Sequence, residues 1–211
     1  RIDRQGDPSA DWDDFALQQP GVTAFHRAAW LRSVKQALGH RVIALEARTS
    51  DGALVDVLPL AQVKSALFGN FLMSVPFASY GGPLGSAEVS QQLADESIAI
   101  GRELGCSLLE LRGRALLPLS LEVSTRKLTV VLPLDGGAEA VFKRFDSKLR
   151  SQVRRSEREG ATVRFGADLL DDFYAVFSQH MRDLGTPSLG RGFFKALLTH
   201  YGDDMVIAVA Y

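Results

Sequence analysis

The chain has 211 residues, 46% of them hydrophobic and 23% charged, with a formal net charge of −1; this is the composition of a globular protein with a real core, not of a disordered or membrane-embedded chain. Its charge balance excludes a general polyanion binder and leaves room only for a local basic site. Cys106 is the only cysteine, so no internal disulfide can form, and a reducing, cytoplasmic setting is expected.

No run approaches the roughly 18 apolar residues of a membrane span, and no signal peptide opens the chain. It begins at Arg1 without Met and ends at Tyr211 inside the apolar run 205–211. The expectation is a piece of a longer protein, with a last strand awaiting neighbours.

Residues 1–20 are polar, carry Asp11, Asp13 and Asp14, and show no firm periodicity. Thr23 then caps a predicted helix in which Phe25, Ala29, Trp30, Val34 and Leu38 share a face and which Gly39 ends. His26 and His40 flank it without Cys, His or carboxylate at metal-ligand spacing, so no metal site is expected. Arg41–Arg48 alternates as a strand, Ser50-Asp51-Gly52 supplies a turn, and 53–64 returns, giving an antiparallel hairpin. A third strand, 71–77, runs into Ala78-Ser79-Tyr80-Gly81-Gly82-Pro83-Leu84-Gly85, after which Ser86 starts a helix to Leu104. Such a turn can present backbone N–H groups to a phosphate, yet it has neither the lysine of a P-loop nor the G-x-G-x-x-G of a dinucleotide site. A phosphate cradle and a tight turn both stay open, as do a binding and a packing role for Tyr80.

Strands are predicted at 107–112 and 126–132 around a loop through Pro118, and Asp135 then caps one long basic helix, 138–159, feeding a strand at 161–165. From Lys143 to Gly160, Lys143, Arg144, Lys148, Arg150, Arg154, Arg155 and Arg158 face only Asp146, Glu157 and Glu159, so seven minus three leaves a local +4. Phe142, Phe145, Leu149 and Val153 recur at helical spacing and are predicted to be its buried stripe. Arg144, Lys148 and Arg155 follow one flank; Arg150, Arg154 and Arg158 form an i, i+4, i+8 row. Like charges at that spacing cost roughly 0.2–0.5 kcal/mol per pair, a cost that an anionic guest offsets. The alternative is a solvated basic face eased by Glu157 and Glu159.

Leu169, Phe173, Val176, Phe177, Met181 and Leu184 mark a further helix, stopped by Gly185 and Pro187, and Phe193, Phe194, Leu197, Leu198 and Tyr201 mark the next, before the strand at 205–211. Domains are expected at 1–160, including the basic helix, and at 161–211, the first part of a second.

These residues together resemble the FemAB family, built from two acyltransferase domains of the GNAT type. The likeness rests on Phe25-His26 with Trp30, Leu58-Pro59-Leu60, Pro76-Phe77 through Tyr80-Gly81-Gly82, Lys148-x-Arg150-x-x-Val153-Arg154-Arg155, and His180-Met181-Arg182-Asp183-Leu184-Gly185-Thr186-Pro187. In this combination they are most similar to FemAB-like proteins of exosortase and PEP-CTERM exopolysaccharide systems. The resemblance implies a GNAT-like α/β fold, a mixed and largely antiparallel sheet flanked by helices. It also implies an N-acyltransferase that moves an acyl or aminoacyl group, from acyl-CoA or aminoacyl-tRNA as donor, onto an amine of a cell-envelope or exopolysaccharide precursor. The GNAT pyrophosphate loop and the coiled-coil arm of some family members are not found in this sequence.

Acyl transfer to an amine needs a path that deprotonates the amine and donors that stabilise the developing oxyanion. The expected site has Lys148, Arg150, Arg154 and Arg155 holding an anionic donor or acceptor, with Tyr80, Gly81 and Gly82 lining the same cleft and Arg182 as a further candidate. Arg182 and Asp183 also suit capping and salt bridging at the helix end. No catalytic residue is assigned. The competing reading is a GNAT-like binding or scaffolding module for exopolysaccharide assembly.

Overall fold

A computed structural model describes residues 1–114, 116–125 and 130–211. In chain order its regular elements begin β1 (Ile2–Gln5), α1 (Trp12–Ala16), α2 (Ala28–Leu38), β2 (Arg41–Arg48), β3 (Leu54–Ser65), β4 (Gly69–Ser74), α3 (Ala87–Glu103) and β5 (Leu108–Glu110). They continue with α4 (Gly137–Arg144), α5 (Ser147–Arg158), β6 (Val163–Phe165), α6 (Leu170–Asp183), α7 (Arg191–Tyr201) and β7 (Ala208–Ala210). Packing divides them into a first unit, Arg1–Glu122 with Leu189–Asp204, and a second, Val123–Ser188 with Met205–Tyr211.

The first unit is a five-stranded sheet in the order β1-β2-β3-β4-β5, antiparallel except for the parallel pair β4 and β5, which α3 connects. Register puts Ile43 opposite Leu60 and Leu45 opposite Leu58. With Leu72 they turn one face to Leu93 and Ile100 of α3. The residues of opposite parity, Val42, Ala44, Val57 and Ala61, are buried as well, because α2 lies against β2 and β3 and α1 against β3. A sheet covered on both faces loses the polar alternation of a half-exposed one. Each fully buried Leu in it contributes about 1.5–3 kcal/mol.

The polar N-terminus contributes more than its sequence announces. β1 pairs along β2, Ile2 opposite Ala47, and α1 buries Trp12 completely, its indole N–H donating to the His26 carbonyl at 2.7 Å. Asp13 accepts the Ala28 N–H at 2.7 Å and so caps α2 from a distance in sequence. The helix predicted from Thr23 is therefore divided: Thr23 starts a 3-10 turn over Ala24–His26, Arg27 is extended, and α2 begins at Ala28. Gly39, at φ +67°, ends it as expected. On its outer side α2 carries α7, where the rings of Trp30 and Phe193 meet edge to face at 5.6 Å and Tyr201 donates to the Ala24 carbonyl at 2.6 Å.

Buried polar groups fix the glycine-rich segment after β4. His26 accepts the Thr23 N–H on Nδ1 at 3.1 Å, which leaves Nε2–H to donate to the Gly82 carbonyl at 2.9 Å. Burial pushes this imidazole below its ordinary pKa. Asp56, fully buried on β3, accepts the amides of Val57 at 2.7 Å and Leu84 at 2.8 Å and the Ser90 hydroxyl at 2.7 Å. A Cβ at Gly85 would stand 2.6 Å from the Asp56 side chain, so only glycine permits this approach. Upstream, Val75 is buried at φ +42°, a conformation that a β-branched residue adopts only under constraint. A Cβ at Gly81 would lie 2.3 Å from its methyl groups.

In the second unit β6 and β7 form an antiparallel pair, Val163 opposite Ala210, against which α6 packs. The run 205–211 expected to await neighbours thus finds one in β6. Of the strand expected at 126–132, residues 126–129 lie outside the described residues, and Val130, Val131 and Leu132 form no strand and are exposed. Among the described residues no helix is long and apolar enough to cross a membrane.

Two titrations follow from this core. Burial raises the Asp56 carboxyl above its ordinary range, so its contribution to stability is full below pH ~3.9 and is lost as pH rises through the folded value. Replacing Asp56 by Ala strands several buried donors and should lower unfolding stability by about 3 kcal/mol or more. Asp56→Asn should cost less and should gain on wild type as pH rises, which urea unfolding at several pH values would measure. The depressed His26 works oppositely: its contribution is full above pH ~6.5 and is lost as pH falls through the folded value. His26→Gln should flatten that acid limb.

Candidate functional site

The basic segment is where charge gathers, and its local structure differs from the expected single helix 138–159. Asp146 accepts the Leu149 N–H at 2.7 Å and starts a new helix, while Phe145 is extended at ψ 149°. A side chain that satisfies a backbone amide outside the helical pattern competes with continuing the helix. Two helices result, α4 and α5. The start is different too: Gly136, at φ +84°, precedes α4, and no Asp135 side-chain cap forms.

The break removes the predicted buried stripe. No residue of α4 or α5 is buried; Phe142, Phe145 and Val153 are half-buried and Leu149 is exposed. The two phenylalanines meet edge to face at 6.2 Å across the joint. Arg150 folds back to it, donating to the Lys143 and Phe145 carbonyls at 3.1 and 2.8 Å. Those carbonyls belong to the end of α4, where helix acceptors lack partners.

This geometry opens a shallow concavity of about 410 Å³ lined by Glu139, Phe142, Lys143, Arg150 and Arg154. The Arg154 guanidinium sits over the Phe142 ring, 5.5 Å from its centroid, which holds a long side chain in one place. Three cations minus one carboxylate leave +2 around the opening. Among the described residues none of these three cations forms an ion pair, nor do Lys148 and Arg158. Arg155 does, with Glu159 at 2.7 Å, but both are exposed, and such pairs contribute little. Arg144 donates to the Pro133 carbonyl at 2.5 Å. Lys148 is exposed on α5 and is not part of the concavity's lining.

The other sequence candidates lie elsewhere. Tyr80, Gly81 and Gly82 are in the first unit, where the Gly81 N–H donates to the Arg112 carbonyl at 2.8 Å and the Tyr80 carbonyl accepts from Thr23 at 3.2 Å. Their backbone groups bond to Arg112, Thr23 and His26 and so fix the turn against its neighbours in the first unit. Arg182, in the last turn of α6, donates to Gln179, which in turn donates to Asp183 at 2.8 Å. This is a local network at a helix end rather than a salt bridge. No group of three or more His, Cys, Asp or Glu suited to a metal is present among the described residues. Sequence reasoning missed Glu139, which no periodic signal distinguishes from other helix carboxylates, and Lys143, which it counted in the charge without placing in the site.

The FemAB family model matches residues 117–211, a little under half of the chain, and this stretch contains the whole concavity. The fold is similar to the crystal structure of FemX, with a TM-score of 0.61 and 15% identity over 99% of this chain and 57% of that one. No curated protein matches. The expected architecture, a mixed and largely antiparallel sheet flanked by helices, is what this likeness bears out, and the chain spans little more than half of the FemX structure.

If Asp146 sets the joint, Asp146→Ala should cost ~1 kcal/mol of helix stability and should loosen Arg150 and Arg154 together. Amide hydrogen exchange in 147–151 should then rise while exchange in β2 and β3 stays unchanged.

Proposed function

We propose that the chain belongs to an N-acyltransferase of the FemAB and GNAT type, acting on an amine of a cell-envelope or exopolysaccharide precursor. In this reading the concavity of α4 and α5 receives the anionic part of the donor, an aminoacyl-tRNA or an acyl-CoA. The observation that carries it is the convergence of Lys143, Arg150 and Arg154 on one opening with a single carboxylate. The FemAB match over the same residues supports it, as does the fold shared with FemX.

The guanidiniums suit phosphate, which they grip with paired N–H donors. Phe142 offers an aromatic edge beside them. Lys148 and Arg155, on the same helix, add positive potential, and Tyr80, Gly81, Gly82 and Arg182 stay candidate substrate-binding residues outside this concavity. The reading takes 1–160 as a first GNAT-like domain and 161–211 as the start of a second, and sets the chain in the cytoplasm, within an exosortase-linked exopolysaccharide system.

Arg154 gives the cleaner test, because Arg150 also closes the end of α4. Donor binding by the full chain should weaken by about tenfold or more in Arg154→Ala, the loss of one charge-assisted contact. Binding should also weaken as salt rises, since each neutralised phosphate releases counterions. Arg158→Ala, outside the concavity, should bind as wild type does. Wild-type affinity in Arg154→Ala, or a response to acyl-CoA and aminoacyl-tRNA that is flat at both low and high salt, sinks the site and favours the scaffolding reading.

A further inference from the structure

The hairpin joining β3 and β4 ends in two large apolar side chains that touch solvent: Leu67 is 82% exposed and Phe68 70%. The central strands of the sheet, by contrast, bury their leucines: Leu45, Leu58, Leu60 and Leu72 are all out of water. β2 starts at Arg41 opposite Gln62, while β3 continues to Ser65 opposite Gly69. Three residues at ~3.3 Å each carry the tip about 10 Å past the start of β2. On the other side of the hairpin, β5 starts only at Leu108, opposite Phe71.

This tip is built rather than frayed. The Ser65 hydroxyl accepts the amides of Leu67 and Phe68 at 3.2 and 3.3 Å, and Asn70 ties its base to the end of α3 by donating to the Leu104 carbonyl at 2.8 Å. Its surroundings are cationic. Arg41, Lys64 and Arg102 are exposed and form no ion pair among the described residues. Glu103, next to Arg102, is tied to Arg4 at 2.7 Å and also lies within electrostatic reach of Arg41.

We propose that this hairpin is an interfacial membrane anchor: Leu67 and Phe68 enter the headgroup region of an anionic bilayer, and Arg41, Lys64 and Arg102 lie against its lipid phosphates. The reach of the hairpin matches the roughly 5–10 Å depth at which apolar side chains settle in an interface. Cations beside an anionic surface add attraction that salt screens. A protein partner would have to offer an apolar socket inside an acidic rim, whereas an anionic bilayer supplies both features at once.

The test is co-sedimentation of the full chain with vesicles of phosphatidylcholine mixed with phosphatidylglycerol, and with phosphatidylcholine alone. Wild type should sediment with the mixed vesicles, less so at high salt and far less with the neutral ones. The double variant L67S/F68S should bind at least about tenfold more weakly with an unchanged thermal unfolding midpoint, since neither side chain is packed. In Phe68→Trp the emission should shift to the blue on adding mixed vesicles, against a constant background from the buried Trp12 and Trp30. No sedimentation of wild type, unchanged binding by L67S/F68S, or an unmoved Phe68→Trp emission overturns the proposal. So does lipid-free self-association that L67S/F68S abolishes, which would make a second copy the occupant. None of these readouts needs an acyl donor, so the anchor and the transferase reading fail independently.

Discussion

The Asp56 carboxylate holds the first unit in its particular form. It lies on a strand wholly out of water, yet it gathers the amides of Val57 and Leu84 and the hydroxyl of Ser90, so one side chain binds β3, the glycine-rich turn and the first turns of α3 to each other. A buried carboxylate is costly unless its oxygens are occupied, and here two backbone amides serve one oxygen and the Ser90 hydroxyl the other. His26 performs the matching task from the opposite side of the turn, with one ring nitrogen on Thr23 and the other on the Gly82 carbonyl. The chain between Pro76 and Ser86 is thus suspended between two inward-facing polar groups, which explains why a stretch so rich in glycine is ordered.

The second unit uses polar groups differently. Its basic helices bury no residue fully, and their arrangement depends on a cap at Asp146 and on a guanidinium that turns back to the carbonyls of the preceding helix. Stability in such a place comes from hydrogen bonds and an aromatic contact rather than from area removed from water. Charge there is held in position at little hydrophobic gain.

Much of the first unit was legible in the sequence because its signals are local. The strand Arg41–Arg48, the Ser86 cap and the Gly39 stop each rest on signals within a few residues, and the structure places all three as expected, although β2 is buried on both faces rather than on alternate residues. What could not be read were the contacts joining distant parts of the chain. β1 holds a single apolar residue, Ile2, and exists because β2 offers it an edge. Asp13 looks like one more surface acid until the start of α2 is beside it. In the basic segment the hydrophobic period runs unbroken through Phe145, so periodicity favoured one helix; Asp146 prevailed because a cap redirects the backbone wherever it sits. The charge excess was visible from composition, but which cations share an opening depended on that break.

Val75 and Gly81 illustrate how far a single awkward backbone angle reaches. A valine turned to φ +42° places its methyl groups where a β-carbon at position 81 would have to go, at 2.3 Å. The two sites are therefore one steric unit: position 81 cannot gain a β-carbon while position 75 keeps its valine. A related chain bearing alanine or serine at the second position must carry a smaller residue, most simply glycine, at the first, and it would relieve the twisted torsion in the same step.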